Sequence, residues 1–388
     1  MPTYSQLPVA FVRGEGAKLW DSAGNEYLDF LAGIAVCGLG HCHPAVVEAI
    51  CRQAGQLMHT SNLYYIPAQA ELARLLTEIS GLDKCFFCNS GAEANEAAVK
   101  LARKWAKRRD NDPSAEHKVI TATGSFHGRT MLTVTATGQP KYRKWFTPLM
   151  PGFEYVEFGD AQALRAAIDE RTCAVMLEPI QGESGVRVPP EGYLREVREI
   201  CDERNVLLIL DEVQTGLGRT GKWFAHQHEG VLPDIMTLAK SLAGGTAIGA
   251  CLCTERANAF EPGDHASTFG GNHLACAAAI AVLETMRREN IVEHVAEIGR
   301  YFKERLLELK AKYPQVREVR GKGLMLAIEL SDGSAAKVNN ALFARRVLAN
   351  AIGDSVLRML PPLVVEQEEV DRFVAALEES LAEVAAKG

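Results

Sequence analysis

The sequence predicts an α/β protein, with a large domain built on a mostly parallel sheet covered by helices and a smaller α+β domain beside it. Three observations carry this expectation. Between residues 84 and 254, short apolar runs rich in β-formers alternate with helical stretches. Those runs are hydrophobic continuously rather than at every second residue, which is the pattern of strands covered on both faces. After about residue 275 the texture changes to long amphipathic helices, so a second unit of helices on a small sheet is expected.

Taken in order, residues 1–50 hold a strand pair, "GAKLWDSAGNEYLDF", turning at Gly24 and Asn25, residue types that tolerate turn backbone. This segment is expected to join the smaller domain. Residues 51–275 form the large domain, with strands in "KCFFCN", "HKVITAT", "CAVMLEPI", "NVLLILDE", "DIMTLAK" and "GACLCT" and helices over 93–107 and 192–203. Residues 276–388 form the smaller domain. There Ile298, Phe302, Leu306 and Leu309 share one helical face, and Val370, Phe373, Leu377, Leu381 and Val384 share another, each an apolar stripe at the helical period. Between them "GLMLAIEL" and "SVLRMLPPLVV" read as strands.

Bulk properties narrow the function. With 388 residues, 47% hydrophobic and 23% charged, the chain is an ordinary globular protein with a sizeable core rather than a disordered or fibrous one. A net charge of −7 and the absence of a long basic block give no field for a phosphate backbone, so nucleic acid is not an expected partner. The start lacks a basic region followed by an apolar one, and the longest apolar runs are about half of the roughly 20 residues a membrane span needs. No membrane partner is expected, and the cytoplasm is the expected location. Cys85 and Cys88 make C-x-x-C, and "HCH" occupies 41–43. No second C-x-x-C follows at zinc-ribbon spacing, and Phe86 and Phe87 place the pair inside a strand. Reduced core thiols are expected and no metal, with His41 and His43 structural.

The stretch "LILDEVQTGLGRTG" contains G-x-G-x-x-G, yet it fails as a dinucleotide loop. Five residues separate the apolar run from Gly216, and Asp234 precedes its strand instead of ending it, contrary to what that fold requires. The chemistry falls on Asp211, which terminates the strand where open α/β sheets bind ligands. Lys240 follows the next strand among small apolar neighbours, a setting that depresses its pKa by desolvation and suits a Schiff base. An acid that can hold a pyridine nitrogen protonated and an amine that can bind an aldehyde are what a protein contributes to pyridoxal phosphate chemistry. A phosphate site is then required, and Ser90, Gly91 and Ala92 supply it at a strand-to-helix turn with free backbone N–H groups. In "GSFHGRT", Phe126 is placed to stack on a ring and Arg129 to clamp a substrate carboxylate.

Together "NSGAEANEAA", "SFHGRT", "EPIQGESG", "LILDEVQTGLGRTG", "LAKSLAGG", "STFGGN" and "RMLPPL" resemble the class III aminotransferases of fold type I, in the family's order over nearly the whole chain. The resemblance implies a pyridoxal 5'-phosphate enzyme with Lys240 bound to the cofactor and Asp211 on the pyridine nitrogen. It implies Glu212, Val213 and Gln214 among the cofactor-binding residues, with Gln214 reaching the ring oxygen and Gly91 and Ala92 on the phosphate. Thr268 would reach the phosphate across the interface of a homodimer with shared active sites. For substrates, Arg129 would grip the α-carboxylate of N-acetylornithine with Ser267 nearby, and Arg358 would receive a glutamate or 2-oxoglutarate carboxylate when not paired with Glu183. Ser184 stands where the family commonly has glycine. The implied reaction moves the terminal amine of N2-acetyl-L-ornithine to 2-oxoglutarate. Succinylornithine, N-succinyl-diaminopimelate, ornithine and 4-aminobutyrate are alternatives within the family. A pyridoxal phosphate decarboxylase or racemase, or a non-catalytic binding protein, stands outside it.

Overall fold

The computed structural model describes residues 1–387. The chain opens with antiparallel strands β1 (Phe11–Glu15), β2 (Lys18–Asp21) and β3 (Glu26–Asp29). The Asp21 carboxylate closes the expected turn by accepting the backbone N–H groups of Ala23 and Asn25, each at 2.9 Å.

Seven strands then build the main sheet: β4 (Lys84–Cys88), β5 (Lys118–Ala122), β6 (Phe153–Val156), β7 (Thr172–Leu177), β8 (Leu207–Asp211), β9 (Ile235–Leu238) and β10 (Gly249–Cys253). Their spatial order is β4-β10-β9-β8-β7-β5-β6. The pairs from β9 through β6 are parallel, whereas β10 runs antiparallel to both of its neighbours. Strand β8 shows why its sequence is continuously apolar. Leu207 and Ile209 pack with Ala97, Ala98 and Ala102 of the helix Gly91–Arg109 on one face. Leu208 and Leu210 pack with Val197 and Ile200 of the helix Tyr193–Glu203 on the other. Both faces are dry, so neither can carry polar residues. The hydrophobic pattern does not mark β6, because it is an edge strand that only β5 covers and its "FEYV" is half polar.

The remaining strands are β11 (Val316–Lys322), β12 (Met325–Leu330), β13 (Val347–Leu348), β14 (Asn350–Ile352) and β15 (Val356–Met359). Four of them form an antiparallel sheet in the order β11-β12-β15-β14. The run "SVLRMLPPLVV" yields only β15, since Pro361 and Pro362 have no N–H to continue a ladder. Strand β13 pairs in parallel with β3, which attaches the first residues of the chain to its last part. Phe30 reinforces that attachment, stacked on Phe373 at 4.2 Å and edge-on to Phe302 at 5.5 Å. These two rings come from the helices Ile291–Lys312 and Gln367–Lys387. The helix His273–Arg288 spans the expected boundary at 275/276 and packs on the helices Pro44–Ala54 and Pro67–Ser80. All ten cysteines are free thiols. Among the described residues no helix is long and apolar enough to cross a membrane, and no His/Cys/Asp/Glu group could hold a metal ion.

Candidate active site

The carboxyl ends of β4, β8 and β9 open into a cavity of about 410 Å³. Side-chain alternation along β8 decides what enters it. Asp211 continues the face of Leu207 and Ile209, toward the helix Gly91–Arg109. Asn95 of that helix donates to Asp211 Oδ2 at 2.7 Å and to the His127 carbonyl at 2.8 Å. The His127 ring places Nδ1 2.8 Å from the same Asp211 oxygen, and the Val213 N–H reaches Asp211 Oδ1 at 3.1 Å. Thr237 of β9 orients Asn95 by donating to its Oδ1 at 2.7 Å. Burying a carboxylate is costly unless donors such as these satisfy its oxygens. Glu212, one residue on, faces the other side. Its carboxylate accepts the Ala225 and His226 N–H groups at 3.0 and 2.9 Å and does not line the cavity. Glu212, expected among the cofactor-binding residues, thus points away from the cavity, because successive side chains of a strand face opposite sides.

Lys240 follows β9 and lines the cavity. Burial pulls its ammonium down to about 8, with Arg358 adding to the effect and Glu183 and Asp211 opposing it. Its neighbour Ser241 donates to the Ala35 carbonyl at 2.7 Å. That bond fastens the lysine's strand end to the strained left-handed turn Ala32, Gly33, Ile34 and Ala35, whose continuation Val36 forms part of the cavity wall. Opposite strand ends supply the anion cradle. Ser90 caps the helix Gly91–Arg109 by accepting the Glu93 N–H at 3.2 Å, and the first turn of that helix lines the cavity. Strand β10 passes so close that a Cβ on Gly249 would lie 2.4 Å from the Ser90 carbonyl oxygen, so only glycine fits there.

Phe126, Arg129, Val213 and Gln214 also line the cavity. Arg129 is exposed and lies over the Tyr142 ring at 4.2 Å and the Phe126 ring at 5.3 Å, cation–π contacts that aim its guanidinium without neutralising it. Deeper in, Arg358 is almost wholly buried, behind Glu183 and Gln214. Its Nη1 donates to Glu183 Oε1 at 2.7 Å, and Gln214 Nε2 donates to the same oxygen at 3.2 Å. Burial pushes the Glu183 carboxyl up, but the Arg358 and Lys240 charges outweigh it and hold the group below its ordinary value. A Cβ on Gly182 would lie 2.0 Å from Gln214 Oε1, so a larger residue there would displace the Gln214 amide. Glu178 accepts the N–H groups of Phe126 at 2.9 Å and Gly182 at 3.2 Å, and burial pushes it up to about 7.

Ten expected residues thus converge on one cavity: Ser90, Gly91, Ala92, Phe126, Arg129, Glu183, Asp211, Val213, Gln214 and Lys240. Arg358 touches it through Glu183. Ser267 and Thr268 stand outside the lining. Ser267 accepts from Asn89 at 3.2 Å, and Thr268 is exposed beside it. Asn95, His127, Glu178 and Tyr142 escaped the sequence reading. The "FHGRT" context of His127 was the available signal, since a histidine between a ring and a glycine at a strand tip belongs to the same loop.

The arrangement fits pyridoxal phosphate. It offers a buried amine of depressed pKa, a donor-supported carboxylate, a capped helix N-terminus for a dianion and an aromatic wall in one space. The family model for Aminotransferase class-III matches residues 1–381. The chain is 52% identical over 384 residues to an acetylornithine aminotransferase of Caldanaerobacter subterraneus subsp. tengcongensis, covering 99% of this chain and 97% of that one. An ornithine aminotransferase structure from Toxoplasma gondii, with partial occupancy of PLP at its active site, superposes with a TM-score of 0.96 at 39% identity, over 100% of this chain and 93% of that one. An N-acetylornithine aminotransferase from Stenotrophomonas maltophilia superposes with a TM-score of 0.87 at 38% identity, over 100% and 99% of the two chains.

Proposed function

The chain belongs to the class-III aminotransferases, enzymes that use pyridoxal 5'-phosphate, and on that premise we propose that it moves the terminal amine of N2-acetyl-L-ornithine to 2-oxoglutarate. The products are N-acetyl-L-glutamate 5-semialdehyde and L-glutamate. The observation that carries the choice of donor is the charge inventory of the cavity. Its lining acids are Glu178, Glu183 and Asp211, and each already serves another group: backbone N–H groups, Arg358, and Asn95 with His127. Among the described residues no further acid lines the cavity to receive a free α-ammonium. Acylation makes the α-nitrogen neutral and leaves only the α-carboxylate for Arg129 to grip. The 52% identity to an acetylornithine aminotransferase supports the same reading, and the Toxoplasma gondii likeness keeps ornithine as the comparison donor.

When bound, pyridoxal phosphate supplies an aldehyde for an amine and a pyridine ring that accepts electrons. In this reading Lys240 Nζ, the buried amine of the cavity, would be the group that holds the cofactor. The same amine would move the substrate's proton as general base and acid. Asp211, oriented by His127 and Asn95, would be the group that holds a proton on the ring nitrogen. Ser90, Gly91 and Ala92 would hold the phosphate, and Phe126, Val213 and Gln214, which line the same cavity, would contact the ring.

Glu183 masks Arg358 while the acylated donor is present. Glutamate presents its α-amine instead, so Arg358 is uncovered for the adjacent carboxylate. Single-turnover spectra with N-acetylornithine, ornithine, 4-aminobutyrate and glutamate test this assignment. N-acetylornithine is expected to react fastest, and a preference for free ornithine overturns it. Arg358→Ala is expected to weaken the glutamate half by about 2 to 4 kcal/mol, roughly 30- to 1,000-fold, far more than the N-acetylornithine half.

We also propose a homodimer. The loops 57–65 and 267–271 are tied together by Asn62, which donates to the carbonyls of Ser267 and Gly270 at 3.0 Å. They expose Leu63, Tyr64, Tyr65 and Phe269, apolar side chains of the kind that mark an interface, and the exposed Thr268 precedes Phe269 in the second loop. A monomer mass in sedimentation velocity would rule this out. Ten free thiols favour a reducing compartment, the cytoplasm.

A further inference from the structure

The Arg358 guanidinium has more partners than its ion pair requires. Nη1 donates to Glu183 Oε1 at 2.7 Å, to the Gly182 carbonyl at 3.2 Å and to Gln214 Oε1 at 3.3 Å. Nη2 donates to Asn350 Oδ1 at 2.8 Å, while Nε is buried without a partner. Arg358 is 1% exposed, so these groups alone decide where its charge sits. The carboxylate of Glu183 engages one nitrogen only, leaving the fork half used. Asn350 engages the other, and it comes from a different kind of element. Asn350 and Arg358 face each other across the ladder between β14 and β15. Glu183 sits instead in a turn, closed by the Gly185 N–H on the Gly182 carbonyl at 3.2 Å.

We propose that Asn350 is a positioning residue for Arg358: it holds Nη2 in place whether or not Glu183 is in contact, and its neutrality leaves the guanidinium charge for the second substrate's carboxylate. The proposal rests on reading Glu183 and Arg358 as a switch. Guanidinium only donates, so the amide oxygen is the end of Asn350 that faces it. Aspartate would present an oxygen at the same place with a full negative charge. In a buried site that charge would neutralise Arg358 in both halves of the reaction, and an incoming carboxylate would meet a like charge. Alanine would act differently, leaving Nη2 without its acceptor and the guanidinium charged but loosely held.

The test is single-turnover kinetics of the holoenzyme with glutamate and N-acetylornithine as separate donors. It compares Asn350→Asp, Asn350→Ala, Glu183→Gln, Arg358→Ala and the double variant Glu183→Gln/Asn350→Asp. Asn350→Asp is expected to slow the glutamate half about 30-fold or more and the N-acetylornithine half by less than about threefold. Glu183→Gln alone is expected to improve glutamate as donor, and Asn350→Asp in the same chain is expected to cancel that gain, which a purely structural role would not do. Should the aspartate variant fold poorly, Asn350→Ala still decides, with an expected rise of about tenfold in half-saturation for glutamate only. Equal losses in both halves, or a double variant that keeps the full gain, overturn the role of Asn350. If Arg358→Ala slows both halves alike, the switch itself is wrong and the proposal falls with it. If Arg358→Ala is selective and the Asn350 variants are not, only the role of Asn350 falls.

Discussion

Lys240→Ala is expected to lower kcat by about 10⁴-fold or more, because one side chain would be lost as both the attachment for the cofactor and the acid–base group. The expectation follows from where the amine sits. Burial brings its pKa down to about 8. At pH 7 about one amine in ten is then uncharged, against about one in three thousand at the ordinary lysine value. Only the uncharged amine attacks an aldehyde or accepts a proton. Loading of the apoenzyme with pyridoxal phosphate should therefore accelerate as pH rises toward 8 and level off above it. Borohydride should fix the cofactor to the peptide carrying Lys240 in the parent and to no peptide in the variant. Attachment at another lysine, or turnover that survives the substitution, would overturn the assignment.

Asp211→Asn is expected to slow both half-reactions by about 10²- to 10⁴-fold while the protein keeps its cofactor. The phosphate cradle at Ser90 and the amine at Lys240 are untouched, so binding persists. What is lost is the charge that keeps a proton on the ring nitrogen. An amide also cannot accept from both Asn95 and His127 if its NH₂ end turns toward them, so the donor network around β8 is disturbed as well. Half-reaction spectra with N-acetylornithine and with glutamate separate this from the switch, since the loss should be equal in the two. Near-normal rates would make Asp211 a structural residue only.

These two residues were legible because their signals are local. Asp211 ends a strand that is apolar on both faces, and Lys240 stands among small residues at the next strand's tip. The helix N-terminus at Ser90 is likewise written in six or seven consecutive letters. What supports them is not local. His127 meets Asp211 across 84 positions of sequence and Asn95 across 116, and nothing near either residue announces that meeting. Glu178 reads as the end of an apolar strand until Gly182 turns back onto it. Glu212 shows the converse, since the resemblance set it among the cofactor-binding residues and the strand period turns its carboxylate to the other face from Asp211. The short edge strand β6 is faint for a related reason, since a strand with one neighbour need not be apolar on both sides.

The reversed direction of β10 has a mechanical consequence. Had that strand run parallel to its neighbours, the chain leaving Lys240 would have had to cross the whole sheet before entering it. Because it returns at once, the residues between β9 and β10 form a short span anchored at both ends, with Gly249 wedged against Ser90. The main chain at Lys240 is therefore a fixed pivot. The working radius of its amine is set by the four-carbon stem of the side chain, and the distance over which a proton can be carried is built into the lysine rather than into any motion of the loop that bears it.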